Sequence, residues 1–299
     1  DDCDNFCRAP CPYNLCKCLG AAGKFAAVSG AQIQLKSASD FGDPIETEIY
    51  GSACASIAKL VSRGIDNAVE GDLVLSAPTG KIATKFPALR IDGMVDAGTY
   101  VLNDFATGGA SVKNQEYLAL DGVVSLDGTH PRVAECNQAM ADLVAASALL
   151  ASQPPTQTVS EIVVDDGDVL TLNVGSGLQV INVGKLKVLS GSEFGEPVPS
   201  VLDIVLAPDT DAVIINVLEE LRVDADGFIS VDGLIDRVVL NLPSPTAKVK
   251  LKLGAYLDPT LLAPSRGVKV PLYGALSNVY TTGKLQFTGA SAEDVLLCE

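Results

Sequence analysis

The chain has 299 residues, 37 acidic against 21 basic side chains, and a formal net charge of −16. Apolar residues make up 47%, enough to bury a sizeable core, which excludes an intrinsically disordered chain. The acidic balance argues against a nucleic-acid backbone or an anionic membrane as partner, and the lack of tryptophan, with 5% aromatics, leaves few stacking platforms for bases or sugars.

The first 18 residues hold Cys3, Cys7, Cys11, Cys16 and Cys18, with Pro10 and Pro12 and almost no apolar periodicity. They read as a short cysteine-rich arm. With Cys54, Cys136 and Cys298 the cysteines number eight. There is no C-x-x-C pair, so disulfides formed in an oxidising compartment are the reading and a zinc site its competitor. Five arm cysteines cannot all pair among themselves, so at least one reaches elsewhere. Cys298 reads as a tether for the C-terminal end, and a bond between subunits is equally allowed. The chain starts at Asp1 without a leader, and no run of about 18 apolar residues suggests a membrane span. A secreted, processed protein without membrane insertion is expected.

From Leu19 onward the chain is a series of short runs of Val, Ile and Leu broken by Gly, Asp, Asn and Pro, the pattern of strands and turns. Such runs include Asp72–Ser76, Asp96–Leu102, Glu161–Val164, Val169–Val174, Gln179–Val183, Lys185–Leu189, Leu202–Leu206, Ala212–Val217 and Arg237–Leu242. Residues Lys248–Leu253 alternate Lys with Val or Leu, placing three lysines on one face of a strand, where they discourage edge-to-edge pairing. Two stretches break this rhythm. Cys54, Ile57, Ala58 and Val61 predict a short helix over 52–62. A long helix over 131–152 starts at Pro131, with Thr129 or His130 as cap, and is closed by Pro154-Pro155. Its apolar positions, Val133, Cys136, Met140, Leu143, Ser147 and Leu150, form a stripe that needs a sheet to lie on. Cys54 and Cys136 both sit on apolar sides, which allows a bridge between them. Turn signals then recur every 8–12 residues, as in sandwiches, barrels or irregular solenoids.

Several stretches resemble the choice-of-anchor A domain and, more distantly, the ice-binding β-solenoid family of microbes. They are Leu19-Gly-Ala-Ala-Gly-Lys-Phe-Ala-Ala-Val28, the helix end Ala148-Leu-Leu-Ala-Ser-Gln-Pro-Pro-Thr156 with the following Asp168–Val174, the run Ala212–Val217, and Pro259-Thr-Leu-Leu-Ala-Pro264 followed by Gly274-Ala-Leu-Ser-Asn278. The resemblance spans roughly residues 19–290. It implies a β-helix with one long helix along its side. The cysteine arm departs from the family pattern, and no sorting motif or anchor follows the domain, so attachment is expected through partners or self-association.

Chemistry-bearing motifs are sparse. Arg222–Gly233 reads like a calcium loop, with Asp224, Asp226 and Gly227 in place, but Arg222 holds the first ligand position and Gly233 the twelfth, where a Glu is needed. Asp165, Asp166 and Asp168 surround Gly167 in a turn, where carboxylates are ordinarily solvated and not poised for glycoside hydrolysis. His130, the only histidine, has no identifiable catalytic partner. Gly175-Ser-Gly177 lacks the rest of a nucleotide fingerprint, and no serine sits on a nucleophile elbow. Ice binding asks for flat ranks of Thr, Ser or Ala. The outward strand positions instead carry Glu161, Asp203, Arg237, Lys248, Lys250 and Lys252, and Thr156/Thr158 and Thr281/Thr282 are isolated.

The expected fold is mainly β: an irregular β-solenoid over 19–299, with the flanking helix 131–152 and a disulfide-rich arm over 1–18. The expected role is that of a secreted, non-enzymatic structural or adhesive protein without cofactor, metal or nucleic-acid partner. It would self-associate into a homo-oligomer or filament through solenoid ends and the arm, with a glycan or other surface ligand left open. A monomeric adhesin, an ice-binding protein and a calcium-assisted adhesin are the alternatives.

Overall fold

The computed structural model describes residues 15–40, 43–55, 60–63, 67–76, 81–85, 89–92, 100–102, 111–113, 118–121, 131–193 and 196–294. Short strands dominate. Apart from two antiparallel hairpins, Ala38–Asp40 with Asp43–Ile45 and Gly191–Glu193 with Glu196–Val198, they pair in parallel with a strand of the neighbouring turn of chain. Runs such as Val201–Leu206 alternate, with Leu202 and Ile204 buried inward and Val201, Asp203 and Val205 facing out. One such strand cannot bury its inward face alone. Stacking copies in register, about 4.7–4.9 Å apart, fuses those faces into one continuous core. The result is a β-solenoid with three faces, the third of which stacks ten strands.

The coils do not follow sequence order in space. Four N-terminal coils stack outward from Ala27–Ser29, through Ala53–Ala55 and Leu73–Leu75, to Tyr100–Leu102. The helix Pro131–Ala151, about 30 Å long, then runs back along the first face and delivers the chain to the opposite end, at Gln157–Val164. Six further coils advance from there until the last meets the first. Val279–Thr281 pairs with Ala27–Ser29, Leu285–Thr288 with Ile33–Lys36, and Ser291–Glu293 with Thr47–Tyr50. Across this seam the Ser29 hydroxyl donates to the Gly283 carbonyl at 2.8 Å, over 254 residues of sequence. Buried Tyr280 donates its hydroxyl to the Phe25 carbonyl at 3.0 Å.

On the first face the helix covers what would otherwise be an exposed apolar sheet. Val133, Cys136, Leu143 and Leu150 pack on Val28, Val74, Ile214, Leu262 and Tyr280. The disulfide Cys54–Cys136, with Cα atoms 5.6 Å apart, staples helix to sheet. Near the helix start, Arg132 reaches Asp72 at 2.8 Å, Glu135 at 3.0 Å and Ser52 at 3.2 Å, with its guanidinium 5.2 Å from the centre of the Phe25 ring. Toward the other end, Asn182, Asn216 and Asn241 occupy matched positions on successive strands. The Asn216 amide donates to Asn182 at 2.9 Å, and that of Asn241 to Asn216 at 2.8 Å. This ladder satisfies side-chain amides that the helix would otherwise bury without partners.

Three expectations change. The helix expected over 52–62 is replaced by the strands Ala53–Ala55 and Leu60–Arg63. Cys54 lies in register between Val28 and Val74, so ladder pairing on both sides outweighs a short run of helical spacing. The bridge with Cys136 thus joins a strand to a helix, not two helices. The runs Gln179–Val183 and Lys185–Leu189 form one strand, Gly177–Val188, which turns the corner between two faces at Gly184. A Cβ there would lie 2.4 Å from the Ser160 carbonyl oxygen. The helix itself spans Pro131–Ala151, while its expected caps, Thr129 and His130, lie outside the described residues.

Candidate functional site

With the first face under the helix, the second and third faces are the open ones. The second holds Ile33–Lys36, Val268–Val270 and Leu285–Thr288. Toward the far end it continues through residues 161–164, 185–188 and 220–223 and the strand Lys248–Leu251. In these strands Leu186, Val188, Leu221, Val223, Val268 and Val270 point into the core, so the residues between them face out. The outward positions form two rows. One runs Glu161, Lys185, Glu220, Lys248; the other runs Val163, Lys187, Arg222, Lys250. Ion pairs lace them together: Lys187 to Glu161 at 2.5 Å, Lys250 to Glu220 at 2.6 Å, and Arg222 and Lys252 to Asp224 at 2.7 and 3.1 Å. Burial pushes the Asp224 carboxyl up, but the hydrogen bonds from Arg222 and Lys252 outweigh it and hold it below the ordinary range.

The third face is different. Its outward positions in register run Val169, Val201, Phe228, Tyr256, Ala275, Ser291 and Glu48. The Phe228 and Tyr256 rings lie 5.7 Å apart. Beside this row sits an acidic one. Asp203 accepts from the Ser230 hydroxyl at 3.0 Å, and Asp258 accepts from the Val231 amide at 3.0 Å. Burial, with Asp258 beside it, pushes Tyr256 up to about 12. The Tyr50 hydroxyl donates to Glu48, which pushes Tyr50 to about 12 as well.

The far end of the stack is open. Leu170 lies in register with Leu202, and Ile162 with Leu186. Leu202 and Leu186 are fully buried, whereas Leu170 in the terminal coil is 42% exposed. Gln157–Val164 and Val169–Val174 are edge strands, each paired on one side only among the described residues. The interior of the rod is thus visible at this end.

The acidic motifs of the sequence are dispersed. Asp224 is engaged by two cations, and Asp226 sits in a turn at φ 54° beside Gly254. The Asp168 backbone amide donates to the Asp165 carbonyl at 2.9 Å and closes a turn, with Asp166 at φ 54°. No group of three or more His, Cys, Asp or Glu side chains that could hold a metal ion exists among the described residues. Arg237 donates to the Thr210 carbonyl, and Thr281 is buried in the seam. Of the expected disulfide cysteines, Cys54 and Cys136 are paired and Cys18 is disulfide-bonded. Cys3, Cys7, Cys11 and Cys298 lie outside the described residues, as does the Cys16 side chain. The asparagine ladder escaped the sequence reading, although the runs Val180-Ile-Asn-Val183, Ile214-Ile-Asn-Val217 and Val239-Leu-Asn-Leu242 announce it.

Residues 28–276 match the family described as "Putative Ice-binding-like adhesive domain". The chain belongs to that family, which is the ice-binding-like branch of the sequence resemblance. Among solved structures, an ice-binding protein from the Antarctic ascomycete Antarctomyces psychrotrophicus superposes with a TM-score of 0.52 at 12% identity, covering 92% of this chain and 96% of that one. An ice-binding protein (LeIBP) from an Arctic yeast gives 0.50 at 14% identity, covering 92% and 93%. At such identities the likeness shows the β-solenoid fold. No curated protein matches the chain in sequence.

Proposed function

We propose that the chain is a secreted, non-enzymatic adhesive protein, a subunit of an extracellular fibre or cell-surface matrix. The single observation that carries the adhesive reading is the make-up of the two open faces. Charged side chains stand on both, Lys187, Arg222 and Lys250 at successive coils of one face, and Asp203, Glu293 and Glu48 at scattered positions of the other. Such faces suit charge-directed attachment to another surface better than a flat match to a neutral lattice. The buried disulfide fits an oxidising compartment. No helix among the described residues is long and apolar enough to cross a membrane.

Assembly into fibres is the finer part of this reading. The exposed Leu170 and the edge strands around it offer a stacking end, and an end-to-end contact that does not close propagates. Sedimentation velocity and electron microscopy over a concentration series test it. Rods that lengthen with concentration support assembly. Discrete single stacks at every concentration reject it.

Ice binding is the second reading. It is favoured by the ice-binding neighbours in fold and by the row from Val169 to Ala275, which carries no charge. Thermal hysteresis separates it from adhesion.

A further inference from the structure

The negative charge of the chain is not evenly spread. Eleven of its 21 basic residues fall in the strand segments of the second face, against Glu161 and Glu220 within them and Glu219 and Asp224 at their margins. The strands of the third face hold six acidic residues and one basic. On the second face, the strands Leu60–Arg63, Lys81–Lys85 and Ser111–Lys113 contain no acidic residue at all. Among the described residues, Lys36, Lys185, Lys187, Arg222, Lys248, Lys250 and Lys269 make this the cationic flank of a protein of net charge −16.

In the described coils this flank has a repeat. Lys187, Arg222 and Lys250 stand directly opposite one another on adjacent strands, about 4.7–4.9 Å apart. Like charges in register across a sheet oppose pairing, and here each of the three is balanced by an ion pair, to Glu161, Asp224 and Glu220 respectively. Lys248 and Lys269 extend the flank, and neither has an ion pair among the described residues. The acids on the other faces act weakly here, because fields between exposed charges fade over about 8 Å at physiological salt.

We propose that the second face binds a linear acidic polysaccharide, whose carboxylate or sulfate groups recur along the chain as the cations recur along the rod. Nucleic acid fits less well. No aromatic ring faces outward among the described residues of this face, so bases find no stacking platform. Nine of the eleven cations are lysines, which act as point charges without the fork that grips phosphate. A membrane would require apolar side chains to insert, and in the two outward rows Val163 alone is apolar. Gln286, in register with Lys269, supplies an amide for sugar hydroxyls. This deepens the adhesive reading by naming a ligand class and does not require the rods to assemble.

The test is binding of the whole chain to polygalacturonate, dextran sulfate, neutral dextran and duplex DNA, measured by biolayer interferometry. The expected result is binding to both acidic polysaccharides, weakening steeply from about 50 to 200 mM salt, with none to neutral dextran. The double variant Lys187→Glu/Lys250→Glu should lose about tenfold or more in affinity, as expected when several ionic contacts are reversed. Because Lys187 and Lys250 also pair within the face, Lys248→Gln/Lys269→Gln serves as a second variant; it should weaken binding several-fold with thermal unfolding unchanged. Lys24→Gln, beside the helix, should leave polymer binding unchanged. Equal binding of neutral dextran, unchanged affinity in both face variants, or tighter binding to DNA would each overturn the proposal. Absence of binding to any polymer would overturn the ligand class, whereas failure of the adhesive reading itself would show separately in an assay of attachment to cells or matrix.

Discussion

Ser147 on the helix and Asn241 on the first face hold each other by reciprocal hydrogen bonds. The Ser147 hydroxyl donates to Asn241 Oδ1 at 2.6 Å, and Asn241 Nδ2 donates to the Ser147 carbonyl at 3.1 Å. Because Asn241 also donates to Asn216, the helix is wired into a ladder that crosses three strands. Asn216→Ala removes the donor to Asn182 Oδ1 and the acceptor of one of the two Asn241 Nδ2 bonds. Chemical denaturation should show a loss of about 1–3 kcal/mol. A double-mutant cycle of Ser147→Ala with Asn241→Ala should report a coupling of about 0.5–3 kcal/mol. Additive effects would mean that the two residues act independently.

The disulfide closes a separation of 82 residues, and both its cysteines are fully buried. Replacing both by Ala should lower stability by about 2–5 kcal/mol, mainly by freeing the unfolded chain. Burial carries a second consequence. Reductant should leave this bond intact in the native protein and cleave it once the helix leaves the sheet, which thiol alkylation with mass mapping would follow.

Tyr280 makes the seam sensitive to alkali. Burial, with Asp294 nearby, holds its hydroxyl well above the ordinary tyrosine range. Its folded pKa is therefore raised, so the stabilisation it brings is present below the unfolded value near 10 and is lost as pH rises beyond it. Tyr280→Phe should cost about 1 kcal/mol at neutral pH, for the lost bond to the Phe25 carbonyl. It should also flatten the fall in melting temperature above pH 10.

At acid pH the sign reverses. Glu135 is pushed up by burial but held below the ordinary range by bonds from Arg132 and Lys24, and Asp224 is held low by Arg222 and Lys252. Their folded pKa values are depressed, so their contribution is present above the unfolded carboxylate range near 4 and is lost as pH falls through the lower folded values. The melting temperature should hold from pH 7 to about 5 and fall below about 4. In Asp224→Asn it should start lower and fall less.

The long helix was legible because Val133, Cys136, Leu143 and Leu150 keep one spacing over five turns between prolines. Most strands were legible from turn residues that bound each aliphatic run. Cys54 misled because a strand of three residues is too short to display its period, so helical spacing over the following residues filled the gap. The seam was invisible. Nothing local in Val279–Thr281 says that its partner is Ala27–Ser29, since the match is made only when the helix carries the chain to the far end. The ladder asparagines recur at separations of 34 and 25 residues, too uneven for a search by fixed period. Net charge concealed the cationic flank for a related reason. A sum over the chain discards position, and only stacking brings Lys187, Arg222 and Lys250 into one row.

Thermal hysteresis of the purified chain over a concentration series bears most directly on the adhesive reading. Charged rows on both open faces predict a freezing point that follows solute concentration, with no gap between melting and growth of a seeded crystal. A gap that widens with concentration and is erased by Phe228→Asp on the third face would contradict that reading and establish an ice-binding surface instead.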